Sequence, residues 1–117
     1  MFVYLQTDMD NTEKIYLPNQ EKLARIAKAL GHPARIAIMN FLANQESCYF
    51  GEIHEVLPIC KATVSQHLTE LKNAGLIQGE VIQPKVKYCI CRENWIEAKA
   101  IFSELFDSCI SKKPCCK

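Results

Sequence analysis

The stretch between Ile53 and Gly75 limits the fold more than any other part of the sequence. Val64, Leu68 and Leu71 recur at helical spacing over residues 61–73. The apolar positions Ile53, Val56 and Leu57 mark a short helix over residues 50–57, and only Pro58-Ile59-Cys60 separates it from Lys61. Two helices joined by three residues cross steeply, as in a helix-turn-helix. After Gly75 the apolar period changes from helical to alternating. Residues 76–82 and 86–91 read as two strands, with Gln83-Pro84-Lys85 as the hairpin tip. On the second strand Val86, Tyr88 and Ile90 share one face, and Lys85, Lys87, Cys89 and Cys91 share the other.

Two further helical patterns precede this unit. Leu23, Ile26, Ala27 and Leu30 follow Pro18-Asn19 and stop at Gly31. His32-Pro33 opens the next helix, with Ala34, Ile38, Phe41 and Leu42 on its apolar face and proline at its tolerated first position. A last helix over residues 94–110 carries the stripe Ala98, Ile101, Phe102, Leu105 and Cys109. Four helices, a β-hairpin and a helix predict a mainly α winged helix-turn-helix. The expected organisation is an N-terminal arm (1–18), the winged domain (19–110) and a Cys-containing C-terminal tail (111–117).

At 117 residues the chain is the size of one domain with a self-sufficient core. The 14 basic and 13 acidic residues leave a net charge of +1, so any nucleic-acid contact must rest on local charge. No apolar run approaches the roughly 20 residues of a membrane span. Met1-Phe2-Val3-Tyr4-Leu5 lacks the basic start of a signal peptide. These features predict a cytoplasmic protein. Seven cysteines in a reducing compartment argue against a disulfide framework, and towards metal binding, redox sensing or burial.

With Val64, Leu68 and Leu71 inward, the opposite face of the 61–73 helix presents Ala62, Thr63, Gln66, Thr69 and Asn73, flanked by Ser65 and His67. Short polar side chains near a helix start suit base edges in a major groove, and Gln pairs bidentately with adenine. Lys61 and the free amides at the helix start suit a phosphate. Lys72, Lys85 and Lys87 can hold flanking backbone. The bland alternative for such a face is a solvated surface. His32-Pro33-Ala34-Arg35 reads as a capped helix start with a surface arginine, Arg35 being a weaker candidate for a phosphate.

The runs Ala29-Leu30-Gly31-His32-Pro33-Ala34-Arg35 and Ala62-Thr63-Val64-Ser65-Gln66-His67-Leu68 through Ala74-Gly75-Leu76-Ile77 resemble the arsenic-repressor (ArsR/SmtB-type) family of bacterial metalloregulators. The likeness covers roughly residues 21–95. It implies a homodimeric repressor that leaves double-stranded operator DNA when an effector binds. No enzyme is expected, because no cysteine has a histidine with an obvious third partner and 117 residues leave little wall for a pocket. Its first and last helices would pair across the dimer through Leu23, Ile26, Ala98, Ile101, Phe102 and Leu105. The sequence departs from the family in having Gln83-Pro84 at the wing tip and a single cysteine, Cys48, where a Cys-x-Cys-Asp pattern is common.

Thiolates select soft acceptors. Cys115 and Cys116 are adjacent, and Cys109 stands six residues earlier. With Cys48 they form the expected ligand set for As(III) or Sb(III), with Zn or Cd also within reach. Cys89 and Cys91 read as packing residues more than as a chelating pair. Cys60 occupies the N-cap of the candidate recognition helix, where a thiol gains reactivity. Two alternatives stand beside the metal-responsive repressor. One is a winged-helix regulator that senses oxidants through cysteine. The other is a thiol or metal-carrier protein that does not bind DNA.

Overall fold

A computed structural model describes residues 15–110, with side chains to Ser108. Its elements run α1 (Pro18–Ala29), α2 (Pro33–Ala43), β1 (Tyr49–Phe50), α3 (Ile53–Val56), α4 (Lys61–Asn73), β2 (Ile77–Ile82), β3 (Lys85–Ile90) and α5 (Arg92–Ile110). The expected winged helix-turn-helix is present, and the helix and strand positions follow the apolar periods read above. None of the described helices is long and apolar enough to cross a membrane.

Local chemistry explains the boundaries. The Leu17 amide donates to the Gln20 side chain at 3.0 Å, and Pro18 starts α1. His32 caps α2 by accepting the Ala34 amide at Nδ1, 3.0 Å. At the end of α4 the chain turns through Gly75 at φ +80°, a left-handed conformation that favours glycine. Asn94 of α5 donates to the Gly75 carbonyl at 2.8 Å and ties that turn to the last helix.

The core runs through the middle of the domain. Ile38 of α2, Ile53 of α3, Leu71 of α4 and Leu76 ahead of β2 are fully buried. Val64, Leu68, Ile77 and Tyr88 close the same cluster, so the inner face of α4 and one face of the wing share one core. Helices α1 and α5 pack together, and Lys22 Nζ meets Glu97 Oε1 at 2.6 Å across them.

The sheet has three strands, in the order β1-β3-β2, all antiparallel. The hairpin register runs from Ile77↔Ile90 to Ile82↔Lys85, which leaves Gln83-Pro84 as the turn. Strand β1 is the element that the sequence reading missed: its two residues belong to a segment read as turn and helix start. Tyr49 pairs with Tyr88 and Phe50 with Lys87. Two residues carry no readable alternation, and only the presence of the β3 edge makes them a strand.

Two expectations are corrected here. Ile26, Ala98 and Ile101, assigned to a dimer interface, are buried within this chain, because α1 and α5 cover each other. Phe102 is half-buried against the chain's own core, whereas Leu105 is exposed. Cys48 and Cys89 are joined as a disulfide with Cα atoms 4.5 Å apart, so Cys48 offers no free thiolate to a metal in this state. The pairing follows from register: one step beyond Tyr49↔Tyr88 brings Cys48 opposite Cys89. The side chain of Cys109, the whole of Cys115 and Cys116, and the arm before residue 15 lie outside the described residues.

Candidate nucleic-acid interface

Helix α4 presents a polar face away from the core. Lys61, Ala62, Thr63, Ser65, Gln66, Thr69 and Lys72 are exposed, as expected of a reading face. Two of these hydroxyls are already engaged. Thr63 donates to the Cys60 carbonyl and Thr69 to the Ser65 carbonyl, each at 2.9 Å. No described residue hydrogen-bonds the Ser65 or Gln66 side chain, so both keep their full capacity for a partner. Cys60 takes the N-cap position but makes no side-chain cap bond. The Thr63 and Val64 amides donate to the Cys60 carbonyl, and the helix start stands at the end of the dipole that attracts anions.

His67 departs from the expected set. It is 7% exposed and points inward, away from the reading face. Arg35 Nε donates to its Nδ1 at 3.0 Å, and the Arg35 guanidinium also reaches the Ala29 carbonyl at 3.3 Å. The His32 ring lies 4.4 Å away, tilted against it. Arg35, read from sequence as a surface residue, is therefore a strut between the α1–α2 turn and α4. Helical spacing alone places His67 beside Val64 and Leu68, the signal for packing against the preceding helix, which is the alternative to DNA contact for this residue.

Burial first, then the charges of His32 and Arg35, hold the His67 pKa below its ordinary value of about 6.5. The unfolded chain then takes up this proton before the folded chain does. The contribution is complete above about pH 6.5 and falls away as the pH drops towards the lowered folded value. Urea unfolding at pH 7.5 and 5.5 is expected to show this loss in the native chain and a smaller one in His67→Asn, whose amide oxygen can still accept from Arg35. Equal losses in both would assign the effect to other groups.

The wing lies alongside. The Lys72 stem crosses Gly79 of β2, where a Cβ would stand 3.4 Å from Lys72 Cδ and Nζ. Lys85 is exposed at the hairpin turn. Lys87 is half-buried with its Nζ 6.0 Å above the Phe50 ring, and it faces Glu80 across the hairpin. Lys61, Lys72 and Lys85 thus form the exposed basic flank, while Lys87 is partly engaged within the sheet. Among the described residues no three His, Cys, Asp or Glu side chains gather into a metal site.

Comparison with known proteins agrees with this geometry. Residues 32–78, from the α2 cap to the start of β2, match the family described as "Bacterial regulatory protein, arsR family". Those residues are an arsR-family helix-turn-helix domain. The HTH-type transcriptional regulator YgaV of Escherichia coli is 29% identical over 73 residues, spanning 62% of this chain and 74% of YgaV. The homodimeric winged helix-turn-helix DNA-binding domain of Mb0332 from Mycobacterium bovis superposes with a TM-score of 0.61. It is 22% identical and covers 93% of this chain and 100% of that one. The solution structure of the cadmium metal-sensor CmtR from Mycobacterium tuberculosis gives a TM-score of 0.51. It is 26% identical, with 81% and 97% coverage. With this arsR-family domain the chain is a transcriptional regulator, and its relatives are regulators rather than enzymes.

Proposed function

We propose that the chain is a homodimeric repressor that holds operator DNA through α4. A soft metal or metalloid, As(III) or Sb(III) foremost, taken up by cysteine thiolates then releases it. The observation that carries the DNA half is the α4 face, with Ser65 and Gln66 unpaired beside exposed Lys61, Lys72 and Lys85. Gln66 and Ser65 read base edges, and the lysines hold flanking phosphates. The dimer surface is the exposed apolar skin of α1 and α5. Leu105 is 53% and Phe106 61% exposed, and Leu17 stands uncovered at the start of α1. The homodimeric Mb0332 domain, which shares this fold, supports that arrangement. Adjacent Cys115 and Cys116, with Cys109, supply thiols for the effector, and the likeness to CmtR supports a soft ion. A regulator with these properties works in the cytoplasm.

A second reading, a winged-helix regulator that senses oxidants through cysteine, is favoured by the Cys48–Cys89 pair, which stands as a disulfide.

Gel shift with DNA upstream of the chain's own gene tests the proposal. Ser65→Ala and Gln66→Ala are each expected to weaken binding by about 1–3 kcal/mol, the worth of a good base contact. Sedimentation should show an unchanged dimer. Unaltered affinity in both variants would move the reading face elsewhere. On the same probe As(III) should release the full chain but not a chain ending at Lys113. Equal release would exclude Cys115 and Cys116.

A further inference from the structure

The Cys48–Cys89 pair stands outside the DNA face and outside the cysteine set assigned to a metal. Gly51 N–H donates to the Val86 carbonyl at 3.1 Å, which makes Gly51 and Val86 a hydrogen-bonded pair of the β1–β3 ladder. Pairs alternate along an antiparallel ladder, so the Cys48–Cys89 position is a non-hydrogen-bonded one. There the Cα atoms approach to about 4.5 Å and side chains lie closest. The observed 4.5 Å fits that geometry and lies within the range a disulfide spans. Oxidation and reduction at this site therefore need no rearrangement of the backbone.

The two cysteines are held unequally. Cys89 lies in the central strand, paired with β2 on its other side through Gln78. Cys48 lies at the start of the edge strand, whose ladder covers only Tyr49 and Phe50. Without the covalent link, the two-residue ladder and the Gly51–Val86 hydrogen bond beside it are the backbone ties between the α2–α3 connection and the wing here. Both cysteines are partly accessible and line a cleft of about 370 Å³. Trp95 and Ile96 give this cleft apolar wall, and Arg92, Gln45 and Glu46 give it a polar rim. The size and mixed lining suit a small, charged thiol.

We propose that Cys48 and Cys89 form a thiol–disulfide exchange site for low-molecular-weight thiols and their disulfides. The state of this site sets how firmly the wing is fastened to the helix-turn-helix. The thiolate of a small thiol attacks one sulfur of the Cys48–Cys89 bond. A mixed disulfide forms, and the other cysteine leaves as thiolate. A second small thiolate attacks the mixed disulfide, releases the small disulfide and frees the remaining cysteine. One protein disulfide and two small thiols become two protein thiols and one small disulfide. The reverse sequence closes the clasp. The clasp closes a loop of 41 residues, so its loss also loosens the fold. A fastened wing has less freedom to lose on binding, so the closed form holds operator DNA more tightly. That last step rests on the DNA-binding reading; the exchange site and the clasp do not.

The test equilibrates the full chain with glutathione and glutathione disulfide at graded ratios, then traps thiols by alkylation and maps them by mass. Cys48 and Cys89 should pass together from free to joined as the ratio becomes more oxidising. On reduction the melting temperature should fall by roughly 10 °C. The Gly51 amide should exchange with solvent at least about tenfold faster, and operator affinity should drop about tenfold or more. Cys48→Ser and Cys89→Ser should match the reduced chain at every ratio. Should either serine variant fail to fold, the reduced native chain serves as the same comparison. Cysteines that stay free at all ratios, or a Gly51 amide equally protected in both states, would overturn the proposal, as would tighter operator binding by the reduced form. Normal exchange with neither state binding DNA would instead defeat the DNA reading and leave the exchange site standing.

Discussion

Replacing Leu71 by alanine is expected to cost about 2–5 kcal/mol of folding stability, the range for removing a fully buried leucine. Leu71 is 0% exposed on the inner face of α4 and belongs to the cluster that holds Ile38, Ile53 and Leu76. No part of that side chain reaches the exposed face of α4, so the deficit is one of packing. A domain of this size has about 5–15 kcal/mol in total, so the loss takes a large share. Urea unfolding followed by circular dichroism measures it. Operator affinity per folded molecule should stay unchanged, which separates this variant from Gln66→Ala. A loss below about 1 kcal/mol would mean that neighbouring side chains collapse into the gap.

Gly75→Ala is the second large effect. Its φ of +80° is costly for any residue with a Cβ. The added methyl would also stand 2.9 Å from Asn94 Nδ2, the atom that donates to the Gly75 carbonyl. Backbone strain of this kind costs of order 1–3 kcal/mol, and displacing Asn94 removes a hydrogen bond worth about 1 kcal/mol more. The two parts separate in a double-mutant cycle. Asn94→Ala alone removes the bond, and in the Gly75→Ala/Asn94→Ala chain the clash is relieved while the strain persists. The double variant should be more stable than the sum of the single losses predicts. Strict additivity would show that Asn94 swings away without cost.

The placement of α4 depends on more than its own sequence. Arg35 and His67 join it to the α1–α2 turn, and the Lys72 stem lies over the wing. The exposed side chains Ser65 and Gln66 therefore project from a helix braced on two sides. The proposed reading of base edges needs such bracing, because small shifts in a side chain's origin decide whether it meets a base edge.

Periodicity and punctuation made most of the fold legible. Helical spacing located α1, α2, α4 and α5 because each buries an apolar stripe, whereas the four-residue α3 buries only Ile53. Alternation located β2 and β3 because each has one face against the core. Pro18, Pro33 and Gly75 marked boundaries through the backbone conformations they permit. The exposed face of α4 followed by subtraction from Val64, Leu68 and Leu71, and with it Thr63, Ser65, Gln66 and Thr69. Contacts between distant segments were not legible. Strand β1 exists because β3 offers it an edge. Cys48 meets Cys89 across 41 residues because that register places them opposite each other. His67 is dry because Arg35 and His32 arrive from another helix to cover and bond it. Ile26, Ala98 and Ile101 face their own core because α1 and α5 pack together within one chain. Local pattern thus decided what each segment becomes, since backbone sterics and apolar period act within a few residues. Tertiary structure decided which side chains are joined, covered or left open, since those outcomes depend on what another part of the chain brings alongside.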